Sequence, residues 1–240
     1  KSTRFIILHT TEGPARGSLE KLRANGECHY VVDRDGRVYR IIDRRRVALH
    51  AGRSMWDGQT DLDSCSIGIE IVGYHDREFT QVQYRALREL LDDLKRIYRV
   101  PDERVLTHSM VAYGVPNRWH SRSHRGRKRC CMLMADPERR RRVGLHAQPT
   151  FDPDLRARRL VDADPELTRI LYARARTATA ARPSSAAADV ISSGRSAWDI
   201  ARDLYNAETT LYTFPDGTRK TGREIRNWKA VPAGTRVSVG

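Results

Sequence analysis

The chain has 240 residues, 39% of them apolar and 31% charged, with 44 lysines and arginines against 30 acidic residues. That length supports one substantial core with a small second domain, and the net charge of +14 attracts polyanions, whether nucleic acid or other acidic polymers. Four cysteines are too few for a disulfide framework at this length, and no run approaches the roughly 20 apolar residues of a membrane span.

Residues 4–9, Arg-Phe-Ile-Ile-Leu-His, read as a buried strand. A short helix follows from Ser18, its expected N-cap, to Asn25, with Gly26 just past its end. Residues 29–42 alternate as a hairpin, and Asp35-Gly36 between two β-rich runs is the signal of a type I′ turn. Ser66-Ile-Gly-Ile-Glu-Ile-Val72 is a further apolar strand. From Phe79 to Tyr98, Tyr84, Leu87, Leu91 and Leu94 recur at helical spacing, with Thr80 placed as the cap and Pro101 beyond the end. Val105-Leu106 opens the next strand. Helical pattern returns near 137–143 and 165–176. This alternation predicts an α/β fold: a central mixed β-sheet flanked by helices. The Ala/Ser/Thr/Pro-rich stretch 177–188 reads as a linker between a domain spanning 1–176 and a small α+β block at 189–240. The arginine runs 44–46 and 139–142 lack interleaved aromatics and read as solvated segments rather than a specific nucleic-acid interface.

The chemistry-bearing residues sit where strands end. His9 closes the first strand, His108 closes Arg104-Val-Leu-Thr-His108, and Cys130 ends Gly126-Arg-Lys-Arg-Cys130. Two imidazoles and a thiolate make a three-ligand zinc site with an open fourth position, the mark of a catalytic rather than a structural zinc. Glu70 lies inside an apolar strand, where a carboxylate is costly without a partner or a task. Cys28, Cys65 and Cys131 read as core thiols, and His75, His120, His124 and His146 carry no assignment, although His120 and His124 could bind a fortuitous metal.

Five segments in this order resemble the type 2 N-acetylmuramoyl-L-alanine amidases, the family that shares its fold with peptidoglycan-recognition proteins and amidase-type phage lysozymes. They are Ile6-Ile-Leu-His-Thr-Thr-Glu-Gly13, His29 to Gly36, Ala48-Leu-His-Ala-Gly-Arg-Ser54 with Trp56, Ser66 to Gly73, and Val105-Leu-Thr-His108, followed by Arg127-Lys-Arg-Cys130. The resemblance covers residues 4 to about 137. It implies Zn2+ held by His9, His108 and Cys130, Glu70 as general base and then acid, and Lys128 as the group that stabilises the oxyanion. It implies cleavage of the amide between the lactyl group of N-acetylmuramic acid and L-alanine of a peptidoglycan stem peptide. It also places His50, Trp56 and Tyr30 along the substrate groove, although His29 and Tyr30 lie on opposite faces of one strand and only one can face the site.

One departure stands out: 22 residues separate His108 from Cys130, so an insertion containing Tyr113 to His120 must loop out, and Asp136 before Pro137 rivals Cys130 as third ligand. The C-terminal block resembles a LysM glycan-binding module in Gly194-Arg-Ser-Ala-Trp-Asp-Ile-Ala201 and Pro232 to Val239, less so in Leu211 to Lys220. The expectation is therefore a monomeric zinc amidase of the cell envelope, periplasmic or secreted, with peptidoglycan as partner. Autolysin, recycling enzyme and phage endolysin stay open, and a non-catalytic peptidoglycan binder on the same scaffold is the alternative.

Overall fold

The computed structural model describes residues 2–172, 189–191, 197–201 and 205–239, and divides the chain into units at 1–177 and 178–240. The expected linker 177–188 and part of the first LysM-like segment (194–196) lie outside the described residues.

In the first unit, β1 (Phe5–Thr10) leads into α1 (Ala15–Asn25), then β2 (Tyr30–Val32) and β3 (Val38–Arg40). A small hairpin, β4 (Met55–Trp56) and β5 (Gln59–Thr60), precedes β6 (Ser66–Ile71), α2 (Gln81–Tyr98), β7 (Val105–Thr107) and α3 (His108–Val111). The chain continues through β8 (His124–Arg125), α4 (Pro137–Arg142), α5 (Pro153–Arg156), β9 (Val161–Asp162) and α6 (Pro165–Leu171). Five strands form the mixed sheet in the order β3-β2-β6-β1-β7, with β1 parallel to β6 and β7, β2 parallel to β6, and β3 antiparallel to β2.

Parallel strands covered on both faces read as continuous apolar runs, but the faces differ here. Ile6, Leu8, Tyr30, Val32, Ile67, Ile69 and Ile71 pack against Tyr84, Leu87, Leu91 and Leu94 of α2. The opposite face carries Phe5 and Ile7, packed with Leu62, Leu106 and Met110. In register with these lie Ser66 opposite Phe5, Gly68 opposite Ile7, and Glu70 opposite His9. Helix α2 is anchored by a full capping box, in which Thr80 accepts from Gln83 N–H and the Gln83 side chain from Thr80 N–H.

Three local expectations are corrected. Helix α1 begins at Ala15, a turn ahead of Ser18, because Pro14 presets the entry and Ser18 N–H already bonds to the Pro14 carbonyl at 3.2 Å. The β2–β3 turn is not type I′: only Gly36 takes positive φ (86°), and Asp33 pairs with Arg37 across a three-residue loop. The run 139–142 is not merely solvated. Arg140 is 1% exposed and its guanidinium holds the carbonyls of Asp102, Val105 and Ala147 at 2.8–2.9 Å, while Arg139 and Arg142 clamp Glu78.

The segment between His108 and Cys130 is pinned by a buried ion network. Arg125, on β8, reaches Asp152 (2.6 Å), Asp154 (3.0 Å) and the carbonyls of Val111 (2.6 Å) and Met55 (2.9 Å). Asp154 in turn accepts from the N–H groups of Asp57 and Gly58. All three charged side chains are at most 2% exposed.

The second unit is a four-stranded antiparallel sheet, order β10-β13-β11-β12, made of β10 (Asp189–Val190), β11 (Thr210–Thr213), β12 (Arg219–Thr221) and β13 (Arg236–Val239), with α7 (Ala197–Ala201). Ile191, Ala197, Ala201, Tyr212, Ile225 and Val237 form its own core. Among the described residues, no helix is long and apolar enough to cross a membrane.

Removing one partner of a buried charge cluster leaves the others uncompensated, so Asp154→Ala should lower the unfolding free energy of the first unit by about 3–5 kcal/mol. Urea denaturation followed by tryptophan fluorescence reads this, and a loss below about 1 kcal/mol would show that the network is structurally idle.

Candidate active site

His9, one residue from the end of β1, and Glu70, its registered partner on β6, point to the same side of the sheet. His108 opens α3 directly after β7, the other neighbour of β1. Cys130 arrives from the insertion, and Ser109 N–H bonds to the Cys130 carbonyl at 3.1 Å, so the two ligand segments are stitched together despite their separation in sequence. Nδ1 of His9 and Nδ1 of His108 lie 3.0 Å apart, and Cys130 Sγ is 3.9 Å from His9 Nδ1. Among the described residues this is the one group of three or more His, Cys, Asp or Glu side chains whose ligand atoms all converge within 4.8 Å. Asp136 is elsewhere, capping α4 through the N–H groups of Glu138 and Arg139.

The hydrogen bonds on the far sides of the two rings decide what the near sides offer. His108 Nε2 is 3.1 Å from the Ala51 carbonyl, which only accepts, so Nε2 carries the proton and Nδ1 a lone pair. Ser66 gives its hydroxyl proton to the Leu62 carbonyl and therefore accepts from His50 Nε2 at 3.0 Å. With His50 Nε2 donating to Ser66, its Nδ1 accepts from His9 Nε2, 3.0 Å away. His9 Nδ1 also ends as a lone pair. The two Nδ1 atoms thus face each other as acceptors at 3.0 Å, with the Cys130 thiol 3.9 Å from His9 Nδ1 as the donor at hand.

Glu70 completes the cluster. Its Oε1 is 4.0 Å from His9 Nδ1, and its buried Oε2 has no hydrogen-bond partner. Burial, reinforced by Glu27 and Glu12, pushes its carboxyl up to about 8. Burial and the neighbouring His108 hold His9 well below the usual imidazole range, and burial with Lys128 brings His108 down to about 3. Burial and then Glu70 push the Cys130 thiol up to about 12, although Thr10 N–H points at its sulfur from 3.4 Å. Two imidazole nitrogens and a thiol converge here beside an unpartnered carboxyl oxygen, a donor set for a divalent cation, whose charge would displace the thiol proton. On a tetrahedral zinc with ordinary bond lengths the two nitrogens stand about 3.3 Å apart, close to the observed separation. The residues fit zinc.

A pocket of about 730 Å³ opens over this floor and is lined by His9, His50, Glu70, His108, Lys128 and Cys130, among others, with Lys128 exposed at its wall. Two expected groove residues are corrected. Tyr30 lies on the α2 face of the sheet, away from His9 and Glu70, with its hydroxyl hydrogen-bonded to Arg44. It is His29 that shares the site's face, with its ring 5.7 Å from that of His50. Trp56 is 8% exposed and packs in the core with Phe5, Ile7 and Leu62. His50 borders the pocket, but its side chain is fully buried under His9 and orients that ring, so it is not a sugar platform.

Several contributors escaped the sequence reading. Asp63 Oδ1 accepts from His50 N–H (2.9 Å) and Ala51 N–H (2.7 Å), fixing the loop whose carbonyl orients His108. A Cβ on Gly68 would meet the His50 ring at 2.4 Å, so only glycine lets that ring lie against the sheet. The small residues Ser66 and Gly68, alternating with isoleucines on the face of Glu70, were the available signal. His120 and His124 stack at 4.1 Å without joining any larger ligand group among the described residues. Cys28, Cys65 and Cys131 are buried.

A family model described as N-acetylmuramoyl-L-alanine amidase matches residues 1–130, a span that ends on Cys130. The 1,6-anhydro-N-acetylmuramyl-L-alanine amidase AmpD of Haemophilus influenzae is 28% identical over 100 residues, 41% of this chain and 53% of its own length. The N-acetylmuramoyl-L-alanine amidase AmiD of Escherichia coli is 28% identical over 127 residues, 45% of this chain and 46% of its own. The matches thus span about half the length of these curated relatives. The solved complex of AmiD with anhydro-N-acetylmuramic acid-L-Ala-D-gamma-Glu-L-Lys is 26% identical, with a TM-score of 0.45 over 46% of this chain and 50% of that one.

Zinc affinity should fall about 10–100-fold in His50→Ala and in Gly68→Ala, read by competition with a chromophoric chelator. Unchanged affinity in both would mean that His9 needs no orienting partner. Metal analysis should find near-stoichiometric zinc in Asp136→Ala, which forfeits only about 1 kcal/mol of helix capping, and much less in Cys130→Ser.

Proposed function

We propose a function on one premise: this chain belongs to the N-acetylmuramoyl-L-alanine amidase family. In our reading it is a zinc-dependent enzyme that hydrolyses the amide between the lactyl group of N-acetylmuramic acid and L-alanine of peptidoglycan stem peptides. The observation that carries the reading is the approach of His9 Nδ1 and His108 Nδ1 to 3.0 Å, beside Cys130 and the unpartnered oxygen of Glu70. A scaffold that only binds peptidoglycan needs neither the thiol nor the orphaned carboxylate.

His9, His108 and Cys130 would hold the zinc. Bound there, zinc supplies Lewis acidity that polarises an amide carbonyl and acidifies water. Glu70 acts on the proton. Its burial makes it a stronger base than an ordinary carboxylate, its Oε2 has no competing partner, and it takes a proton from the attacking water and returns it to the leaving amine. Lys128 lines the same pocket two residues before Cys130 and already acts electrostatically on His9, His108 and Glu70. Its ammonium stabilises the negative charge that develops on the carbonyl oxygen. Buried His50 and Asp63 hold the ligand rings in place during turnover.

The second unit is read as a glycan-binding module of LysM type, on the resemblance of Gly194–Ala201 and Pro232–Val239. The enzyme is placed at the cell envelope, periplasmic or secreted, where its substrate lies.

The test is release of free stem peptide from a muropeptide. Chelation should abolish it and added zinc restore it. Glu70→Gln should keep its zinc yet turn over about 10²–10⁴-fold more slowly. Release at the untreated rate after chelation, or a Glu70→Gln variant as active as wild type, would sink this reading.

A further inference from the structure

The sulfur of Cys130 is attended by the residue that follows His9. Thr10 N–H points at Cys130 Sγ from 3.4 Å, and Thr10 Oγ1 lies 3.7 Å from the same atom. Thr10 is buried, so its hydroxyl must choose among protein partners. It has one proton to give and two acceptors within reach, Cys130 Sγ at 3.7 Å and Glu12 Oε1 at 2.6 Å. The oxygen also accepts from Cys131 N–H at 2.9 Å, which holds the hydroxyl in place while leaving its proton free to point either way.

The carboxylate takes that proton. A hydrogen bond to an ionised carboxylate is short and about twice as strong as a neutral one, and the sulfur stands much further off. Glu12 is itself fixed on every side. Its Oε1 also accepts from His75 N–H at 3.0 Å, its Oε2 lies 2.8 Å from His75 Nδ1, and its own N–H bonds to the Gly73 carbonyl at 2.9 Å. Glu12 and His75 both line the wall of the catalytic pocket.

We propose that Glu12 is a positioning residue for Cys130: it draws the Thr10 hydroxyl proton away from Sγ, so that the sulfur keeps one hydrogen bond, from Thr10 N–H, where two are within reach. The proposal rests on the reading in which Cys130 holds the metal. Hydrogen bonds to a coordinating sulfur withdraw electron density from the metal and tune it. A sulfur with a single such bond is the stronger donor. Glu12 acts on it only through Thr10, so the Lewis acidity at the floor of the pocket is set from the pocket wall.

The experiment loads the full chain with Co2+ and records the thiolate-to-cobalt charge-transfer band, whose energy follows the electron density on the sulfur. Glu12→Ala releases the hydroxyl to the sulfur and should move the band to shorter wavelength. Glu12→Gln keeps a carbonyl oxygen for the hydroxyl and should leave the band near its wild-type position. Thr10→Val should also leave it there, and so should Glu12→Ala combined with Thr10→Val, because neither has a hydroxyl to turn. Thermal melts check that each variant is folded. A merely structural Glu12 would shift the single and the double variant alike, and that result, or a band unmoved in Glu12→Ala, would overturn the proposal. A shift to longer wavelength in Thr10→Val would overturn it as well, by showing that the hydroxyl already bonds to the sulfur in the wild type. A wild-type cobalt protein without any thiolate band would defeat Cys130 as a ligand and the proposal with it, whereas a band present but insensitive to Glu12 defeats the proposal alone.

Discussion

Two nitrogen lone pairs held 3.0 Å apart are unfavourable by themselves, and much of the first unit serves to keep them there. Neither ring can relieve the repulsion by flipping its tautomer, because the proton on each far nitrogen is already spent, by His108 on the Ala51 carbonyl and by His9 on His50. The acceptors behind them are fixed in turn, Ala51 and His50 by Asp63, and His50 by Ser66. The folded chain therefore places acceptor atoms around a point where positive charge is wanted. Such preorganisation lets a metal bind without reorganising its ligands, and it is why the shell behind the ligands matters nearly as much as the ligands.

Bringing Cys130 to that point is a separate problem. His9 and Glu70 need only the β1–β6 register, and His108 needs only β7 beside β1. Cys130 must return after a long excursion. The Arg125 network clamps that excursion to the loops at Met55 and Asp57, and the Ser109–Cys130 backbone bond closes it. Buried ion clusters contribute little net stability compared with apolar packing, but they fix one geometry when each charge is matched. Here the matched geometry is the return path of Cys130.

The legible parts of the sequence were those in which one residue type sits against its surroundings. A histidine closing an apolar strand and a glutamate inside one are visible because burial of either is costly, and the strand periodicity then puts both on one face. Tyr30 was misplaced by parity alone: one residue along β2 separates the site face, which His29 occupies, from the α2 face. Trp56 shows that an aromatic near a groove motif is as well used in a core, and His50 that a histidine near a site can serve a ligand instead of a substrate. Arg125 and Arg140 were hidden because a buried arginine looks like any other in a basic chain until the carbonyls and carboxylates around it are known. Those partners lie up to 70 residues away along the chain, beyond any local pattern.

Backbone strain follows the same logic. Glu12 and Cys131 both take left-handed φ, 52° and 60°, without being glycine, at a cost of about 1–2 kcal/mol each. They flank the site on either side, and one hydroxyl joins them: Thr10 Oγ1 donates to Glu12 Oε1 at 2.6 Å and accepts from Cys131 N–H at 2.9 Å. The left-handed residue at Cys131 turns the chain directly after the ligand, so the sulfur faces His9 while the Cys131 side chain enters the core. At Glu12 it turns the carboxylate back toward Thr10 and lets it hold His75 at the pocket wall. The threonine immediately after His9 thus couples Cys130 to the rim, and the strain is tolerated because relaxing either turn would break the bond that supports the other.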